Sequence, residues 1–394
     1  LQHTVAEDSE KYGKALPEIE KQLENIQSEF SQFVTLNSSG DPVEAAAILD
    51  DTENHILALT HIVDRIPALV ETLTKELPDQ LADLEEGYRK LLDAKYHFIE
   101  TDIESRFQLL HESLKNNQEN IRQLELDNAE YENNRIQEEI NALYDIFTHE
   151  IEAQKVVENL LSTLPTYLNH LKENNQVLVQ DLERLNKTYL LPESDGNHVR
   201  RLQEELAALD TAILEVTEDQ RESAQAYSVL EEQLEMLQSN LKDIEDEQIS
   251  VSERLAQIEK DDLNARQKAN VYVNRLHTIK RYMEKRNLPG IPQSFLKLFF
   301  TASHNTEDLM AELEQPQVNI ESVKRILEIA TNDMAVLETE TYDIVQYATL
   351  TEQLLQYSNR YRSFDERIQE AFNEALEIFE KEFDYQASFE KISQ

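Results

Sequence analysis

Carboxylates are the most numerous side chains in this sequence that could do chemistry. Its 394 residues include 79 Asp and Glu against 37 Lys and Arg, which gives a formal charge of −42. Paired carboxylates can serve as a general acid and a general base, and Glu204 and Glu205 with Asp210 nearby are one such group. In so acidic a chain, groups of this kind arise by chance on every solvated helix surface. The pattern therefore favours a solvated helix face over a catalytic site.

The ten histidines do not suggest a metal site. His55 and His61 are six residues apart, which places them on opposite sides of a helix. Asp93 and His97 have ligand-like i, i+4 spacing but lack a further His nearby. Cys is absent, which excludes thiolate zinc sites, iron–sulfur clusters and cysteine nucleophiles, and the five glycines form neither a GxGxxG turn nor a phosphate loop. We predict no enzyme activity, no metal and no cofactor.

The net charge also limits the partners. A surface this acidic repels polyanions, so we expect no nucleic acid partner and no anionic membrane surface against the bulk of the protein. No stretch approaches the ~20 consecutive apolar residues of a membrane span. As given, the chain is expected to be soluble, and its start at Leu1 rather than Met is compatible with a longer parent protein.

One segment, 266–286, departs from the acidic background. It holds one acidic residue, Glu284, and seven basic ones, so its local charge is +6 and the rest of the chain carries −48. We call it the basic strip: Arg266, Lys268, Arg275, Lys280, Arg281, Lys285 and Arg286. Either it answers acidic faces of neighbouring helices, or it docks an acidic peptide or partner, for which the candidates are Arg275, Lys280, Arg281, Lys285 and Arg286.

A second departure is the segment QYSNRYRS at 356–363, where tyrosines alternate with arginines. We define the 356–362 patch as Gln356, Tyr357, Asn359, Arg360, Tyr361 and Arg362. On a helix, positions 353, 356, 357, 360 and 361 share one face. Tyr and Arg are enriched at interface hot spots, so the patch is a candidate partner-binding surface. The alternative is that its tyrosines are half-buried in a helix bundle with the Arg stems alongside.

Long helices must position these residues, because only 5 Gly and 9 Pro are available for turns. Apolar residues recur in alternating steps of four and three from Leu202 to Ile258, the pattern of a long amphipathic helix. Gln220 and Ser223 interrupt this seam, which allows a bend or a change of partner near 217–224. A similar seam runs from Val157 to Tyr189, with a kink expected at Pro165. The predicted helices are 3–36, 42–76, 78–112, 118–188, 197–260, 263–288, 292–302, 306–315 and 318–388.

Helices of this length cannot belong to one compact bundle, so each long helix should serve two consecutive bundles. We therefore predict an all-α protein, an elongated rod or arc of spectrin-like antiparallel three-helix bundles joined by long shared helices. The predicted division is a spectrin-like repeat at 1–116, a second with long coiled-coil helices at 117–260, and a C-terminal repeat at 261–394 that carries the 356–362 patch.

Two motifs carry a family resemblance. QYSNRYRS at 356–363 resembles the carboxy-terminal patch, rich in Gln, Asn and Arg, of the EzrA septation regulators of Firmicutes. EKRNLPGIP at 284–292 resembles that family's KRxxEKxNLPGxP signature. The stretches that begin with AYSVLEEQ at Ala226 and YDIFTHEI at Tyr144 are also similar to the family.

The resemblance implies a cell-division regulator that binds FtsZ, directly or through partners, and negatively regulates FtsZ ring assembly. It also implies a scaffold of the division machinery on the cytoplasmic side of the plasma membrane at mid-cell, held by an amino-terminal transmembrane helix that this chain lacks. By resemblance, the 356–362 patch serves mid-cell recruitment. The alternative function is a passive spectrin-like spacer or tether between membrane and cytoskeleton.

Overall fold

Helices account for nearly all of the structure, a computed structural model that describes residues 2–222 and 225–394. The predicted all-α class is confirmed. The helices are α1 (Gln2–Glu7), α2 (Leu16–Ser39), α3 (Pro42–Glu71), α4 (Leu77–Asp93), α5 (Ile103–Arg122), α6 (Leu126–Leu185), α7 (Glu193–Glu222), α8 (Tyr227–Lys285), α9 (Gln293–Leu313), α10 (Ile320–Ser358), α11 (Glu366–Glu377) and α12 (Tyr385–Ser393). Among the described residues, no helix combines the length and apolar character needed to cross a bilayer.

The chain forms two compact units, and three long helices contribute to both. The first unit comprises Leu1–Thr166 and Asp210–Ser239, and the second comprises Tyr167–Leu209 and Asn240–Gln394. Helix α6 has 60 residues and α8 has 59, about 90 Å each at ~1.5 Å per residue. The predicted sharing of long helices is therefore seen in α6, α7 and α8, whereas the three repeat boundaries stay a prediction.

In the first unit, ion pairs and amide contacts fix a three-helix arrangement of α3–α4, α5 and α6. Arg65 of α3 contacts Asp127 of α6 at 2.9 Å, and Arg106 of α5 contacts Glu139 of α6 at 2.6 Å. The core between them is mostly apolar but includes the buried pair Asn117 and Asn133, in which Asn117 Nδ2 donates to Asn133 Oδ1 at 2.8 Å and to the Ala129 carbonyl at 2.9 Å. Such a satisfied polar pair inside a helix seam favours one register.

In the second unit, α8 belongs to two successive three-helix arrangements. With α6 and α7 it surrounds a buried amide pair, in which Gln248 Nε2 donates to the Leu171 carbonyl at 2.9 Å and to Asn175 Oδ1 at 3.4 Å. With α9 and α10 it encloses an apolar core that includes Leu276, Ala302 and Leu337. The segment α11–α12 packs on the end of α10.

Several helices that were predicted to be continuous are broken. The predicted helix 3–36 is interrupted by a 3-10 helix at Ser9–Ala15, and the predicted helix 118–188 is interrupted at 123–125, while α5 runs through the predicted break at 113–117. The predicted helix 78–112 ends at Asp93 and resumes at Ile103, because Lys95 adopts a left-handed conformation with φ 64°. The predicted helix 197–260 is divided into α7 and α8, which run antiparallel, as the contact of Arg254 with Asp195 shows. Of the predicted bend region, residues 223 and 224 lie outside the described residues.

Further boundaries were also wrong. The predicted breaks at 261–262 and 303–305 do not exist, because α8 and α9 run through them. Thr306, expected to start a helix, is buried inside α9 with its hydroxyl donating to the Ala302 carbonyl at 2.7 Å. The last predicted helix, 318–388, is interrupted at 359–365 and 383–384. Helix α6 continues through Pro165, as predicted, and the Asp41 side chain caps α3 by accepting from Glu44 N.

Candidate functional site

The 356–362 patch lies where α10 ends, not along a continuous helix as predicted. Helix α10 ends at Ser358, and residues 359–364 form a turn in which Asn359 N donates to the Leu355 carbonyl at 3.0 Å. Helix α11 then begins at Glu366, capped by the Asp365 side chain, which accepts from Arg367 N at 2.9 Å. The prediction that the patch residues share one helix face is therefore wrong, because the helix stops inside the patch.

All six residues of the patch are exposed. The side chains of Tyr357 and Tyr361 are 61% and 46% exposed, and their ring centroids lie 5.4 Å apart. The hydrogen bond between the two hydroxyls favours the protonated form of Tyr361 and raises the pKa of its hydroxyl. The two tyrosines therefore meet, as their i, i+4 spacing suggested, although the second one lies beyond the helix end. Tyr361 is thus about half-buried, as the alternative interpretation has it, whereas Tyr357 is mostly exposed.

The arginines of the patch have different surroundings. The Arg362 guanidinium lies 5.0 Å from the ring centroid of Phe372, a buried residue of α11, so a cation–π contact holds it against the turn. Arg360 is exposed and makes no ion pair with any described residue. Sequence reasoning missed Phe364, which is 86% exposed beside them. Arginine and exposed aromatic rings together can bind a protein surface that offers carboxylates and apolar side chains.

The basic strip lies on α8, and only part of it is answered by neighbouring helices. Arg275 contacts Glu338 of α10 at 2.9 Å, and Arg286 donates to the hydroxyl of Thr349, also on α10. The other three members of the docking set are exposed and form no ion pair with the part of the chain that the structure describes: Lys280, Arg281 and Lys285. Pairing with a neighbouring helix thus accounts for Arg275 and Arg286 but not for the three cations between them.

The turn 286–292, which carries the LPG motif, is in contact with the C-terminal segment. The Gly290 carbonyl accepts a hydrogen bond from the Tyr385 hydroxyl at 2.6 Å, and the Phe383 ring lies directly over Gly290. Tyr385 is only 2% exposed, and its ring packs edge-on against Phe379 at 5.1 Å. This contact ties the end of α8 to the segment that follows α11.

Two of the candidate side chains, Glu205 and His55, have ordinary ion-pair partners. Glu205 contacts Arg201 at 3.6 Å, and His55 contacts Glu29 at 2.9 Å, not His61. That hydrogen bond raises the pKa of the His55 imidazole. Within residues 2–222 and 225–394, no cluster of three or more His, Asp or Glu side chains is placed to hold a metal ion.

Comparison with known proteins places these features in a family. The family model described as "Septation ring formation regulator, EzrA" matches residues 1–394. The EzrA proteins of Streptococcus pneumoniae strains ATCC 700669 and D39 are each 81% identical over 394 residues, which is 100% of this chain and 68% of each relative. The solved cytoplasmic domain of the bacterial cell division protein EzrA has a TM-score of 0.71 at 21% identity, covering 97% of this chain and 70% of that one.

Proposed function

Because the chain belongs to the EzrA family of septation ring formation regulators, we propose that it acts on FtsZ, directly or through partner proteins, and restrains FtsZ ring assembly at improper sites. The family is one of cell-division regulators and not of enzymes, which confirms the prediction of no enzyme activity. We further propose that in the cell the protein is a membrane-tethered scaffold on the cytoplasmic side of the septum and that it contacts other division proteins there.

The observation that carries this proposal is the exposure of the 356–362 patch. Tyr357 and Arg360 both face solvent, and Arg360 has no carboxylate partner among the described residues, so both are available to another protein. A patch that served only to hold the bundle together would bury its tyrosines. We propose that these side chains recruit the protein to the division site.

Restraint of FtsZ assembly needs no catalysis by this chain. A ligand shifts an equilibrium only by its differential affinity for the two states, so the protein must bind the unassembled FtsZ subunit better than the polymer. Binding of this kind raises the critical concentration for assembly by the factor 1 + [L]/Kd. At a free concentration nine times Kd, the critical concentration therefore rises about tenfold.

The experiment is co-sedimentation of FtsZ with GTP, with and without this protein. The wild-type chain should lower the mass of pelleted polymer, and an Arg360→Ala/Arg362→Ala variant should lower it less. The control is Lys21→Ala/Lys90→Ala, which removes the same charge from exposed lysines that pair with Glu18 and Glu86. If the wild-type chain leaves pelleted polymer unchanged at every salt concentration, direct regulation of FtsZ is refuted.

A passive spacer is the second candidate, and the length of α6 and α8 favours it. The two functions are separated in cells by full-length protein carrying either the patch variant or deletions of whole heptads from the shared helices. Recruitment through the patch predicts loss of mid-cell fluorescence in the patch variant alone. A spacer predicts that only the shortened protein disturbs division.

A further inference from the structure

We propose that the solvent face of the last turns of α8 binds an acidic peptide segment of a partner protein. The face is formed by Lys280, Arg281 and Lys285, with Tyr282 beside them. It is separate from the 356–362 patch, and the inference does not require FtsZ to be the partner.

Three cations on this face stand against one carboxylate, Glu284, which forms an ion pair with none of them. Lys280, Arg281 and Lys285 are exposed and form no ion pair with any described residue, although the chain has 79 carboxylates. Arg281 and Lys285 are four residues apart, so two like charges are neighbours on one helix surface, which is unfavourable. A carboxylate placed between the two would relieve this repulsion and gain two charge-assisted contacts.

The face is also preorganised. Arg275 contacts Glu338 at 2.9 Å and Arg286 donates to Thr349, and these contacts fasten α8 to α10 on either side of the free cations along the helix. On the opposite side of α8, Ile279 and Met283 are buried in the core, which fixes the rotation of the helix. A partner therefore meets cations on a rigid helix, so little backbone order has to be gained on binding.

Exposed apolar surface lies next to these cations. Tyr282 is 48% exposed, and Val271, eleven residues or about 16 Å earlier along the same side of α8, is 44% exposed. A ring beside cationic side chains suits a segment that alternates carboxylates with apolar side chains, since Tyr offers contact area at low entropic cost. The ligand we infer is accordingly acidic and partly apolar, not a simple polyanion.

The charge of the remaining protein selects a short acidic peptide over larger polyanions. Outside 266–286 the chain carries −48, so an extended anionic surface such as a bilayer or a nucleic acid duplex would also face repelling carboxylates. A peptide segment can contact the strip alone. A second copy of this chain also offers acidic surface, and the test below distinguishes it.

The experiment measures fluorescence anisotropy of a labelled peptide rich in Asp and Glu with Leu at every fourth position. We expect salt-sensitive binding, and we expect Lys280→Gln/Arg281→Gln/Lys285→Gln to weaken it about tenfold, since each exposed ion pair changes a binding constant by roughly twofold to fivefold. Tyr282→Ala should weaken binding of the Leu peptide but not of its Leu→Ser version. Circular dichroism confirms that the variants fold.

The matched control is Lys21→Gln/Lys90→Gln/Arg122→Gln, which removes the same charge from side chains that pair with their own helices. It should leave the Kd unchanged. Equal weakening in the control, or no binding by the wild-type chain, overturns the proposal. It is also overturned if the wild-type chain binds phosphatidylserine vesicles but not the peptide, or if sedimentation shows a dimer that the triple variant abolishes while peptide binding persists.

Discussion

Gly290→Ala should loosen the C-terminal segment selectively. A Cβ built on Gly290 would lie 2.4 Å from Phe383 Cζ and 2.5 Å from each Cε, about 1 Å closer than ordinary contact allows. Phe383 has little freedom to retreat, because its ring packs against the core of the second unit and the Tyr385 hydroxyl, two residues later, is bonded to the Gly290 carbonyl. Overpacking of this kind costs about 1–3 kcal/mol.

Hydrogen exchange resolves the effect by segment, which a single melting temperature of a two-unit protein would not. A cost of about 1–3 kcal/mol corresponds to exchange roughly 5- to 150-fold faster, at 1.4 kcal/mol per tenfold. We expect this acceleration in residues 383–393, with no change in α3–α5. The control is Gly87→Ala, since Gly87 lies inside α4 with nothing within 4 Å of its added Cβ, and this change should be neutral or stabilising.

A double-mutant cycle with Phe383→Leu tests the assigned cause. Because a smaller side chain leaves room for the Ala methyl group, Gly290→Ala should cost less in the Phe383→Leu background. Equal costs in the two backgrounds, or unchanged exchange at 383–393, would refute the reasoning from the close approach.

Two further predictions concern the first unit. Asn117→Ala should lower the free energy of unfolding in urea by about 1–3 kcal/mol, since it leaves the Oδ1 of buried Asn133 without its donor. Asn117→Leu/Asn133→Leu should recover most of that loss, and equal destabilisation would contradict this. Hydrogen bonds from Arg122 and Gln123 lower the pKa of Glu119 from 4.5 to about 2. They therefore stabilise the fold above pH 4.5, and this contribution is lost as the pH falls toward 2. In Glu119→Gln the urea concentration at half-unfolding should accordingly change less between pH 4.5 and pH 2 than it does in the wild-type chain.

The long helices were predictable because their apolar seams repeat over many turns, but two of their ends were not. Lys95, at the break after α4, is left-handed in a Schellman cap, where Tyr96 N donates to the Leu91 carbonyl and Lys95 N to the Leu92 carbonyl. Such a cap usually carries Gly, and no Gly marks it in this sequence. The apolar positions keep their spacing of four and three from Leu202 to Ile258, although α7 and α8 are antiparallel. A prediction from periodicity alone therefore treated them as one helix.

In the candidate site, too, some features could be predicted from the sequence and others could not. The residue types of the 356–362 patch and the charge of the basic strip are properties of sequence and could be identified there. The end of α10 at Ser358 could not, because no Gly or Pro marks it. Nor could the sequence separate the paired flank Arg275 from the unpaired centre Arg281, since their difference depends on Glu338, 63 residues away from Arg275.

Helix α8 joins Gln248, in the core with α6 and α7, to Arg281, on its solvent face beside α9 and α10. Because the helix is continuous, the direction in which Gln248 points fixes the direction in which Arg281 points. Inserting one residue between them would turn the strip by about 100°, whereas inserting seven would turn it by only about 20°. The length of this helix can therefore change during evolution or design only in whole heptads, if both cores and the orientation of the strip are to be kept.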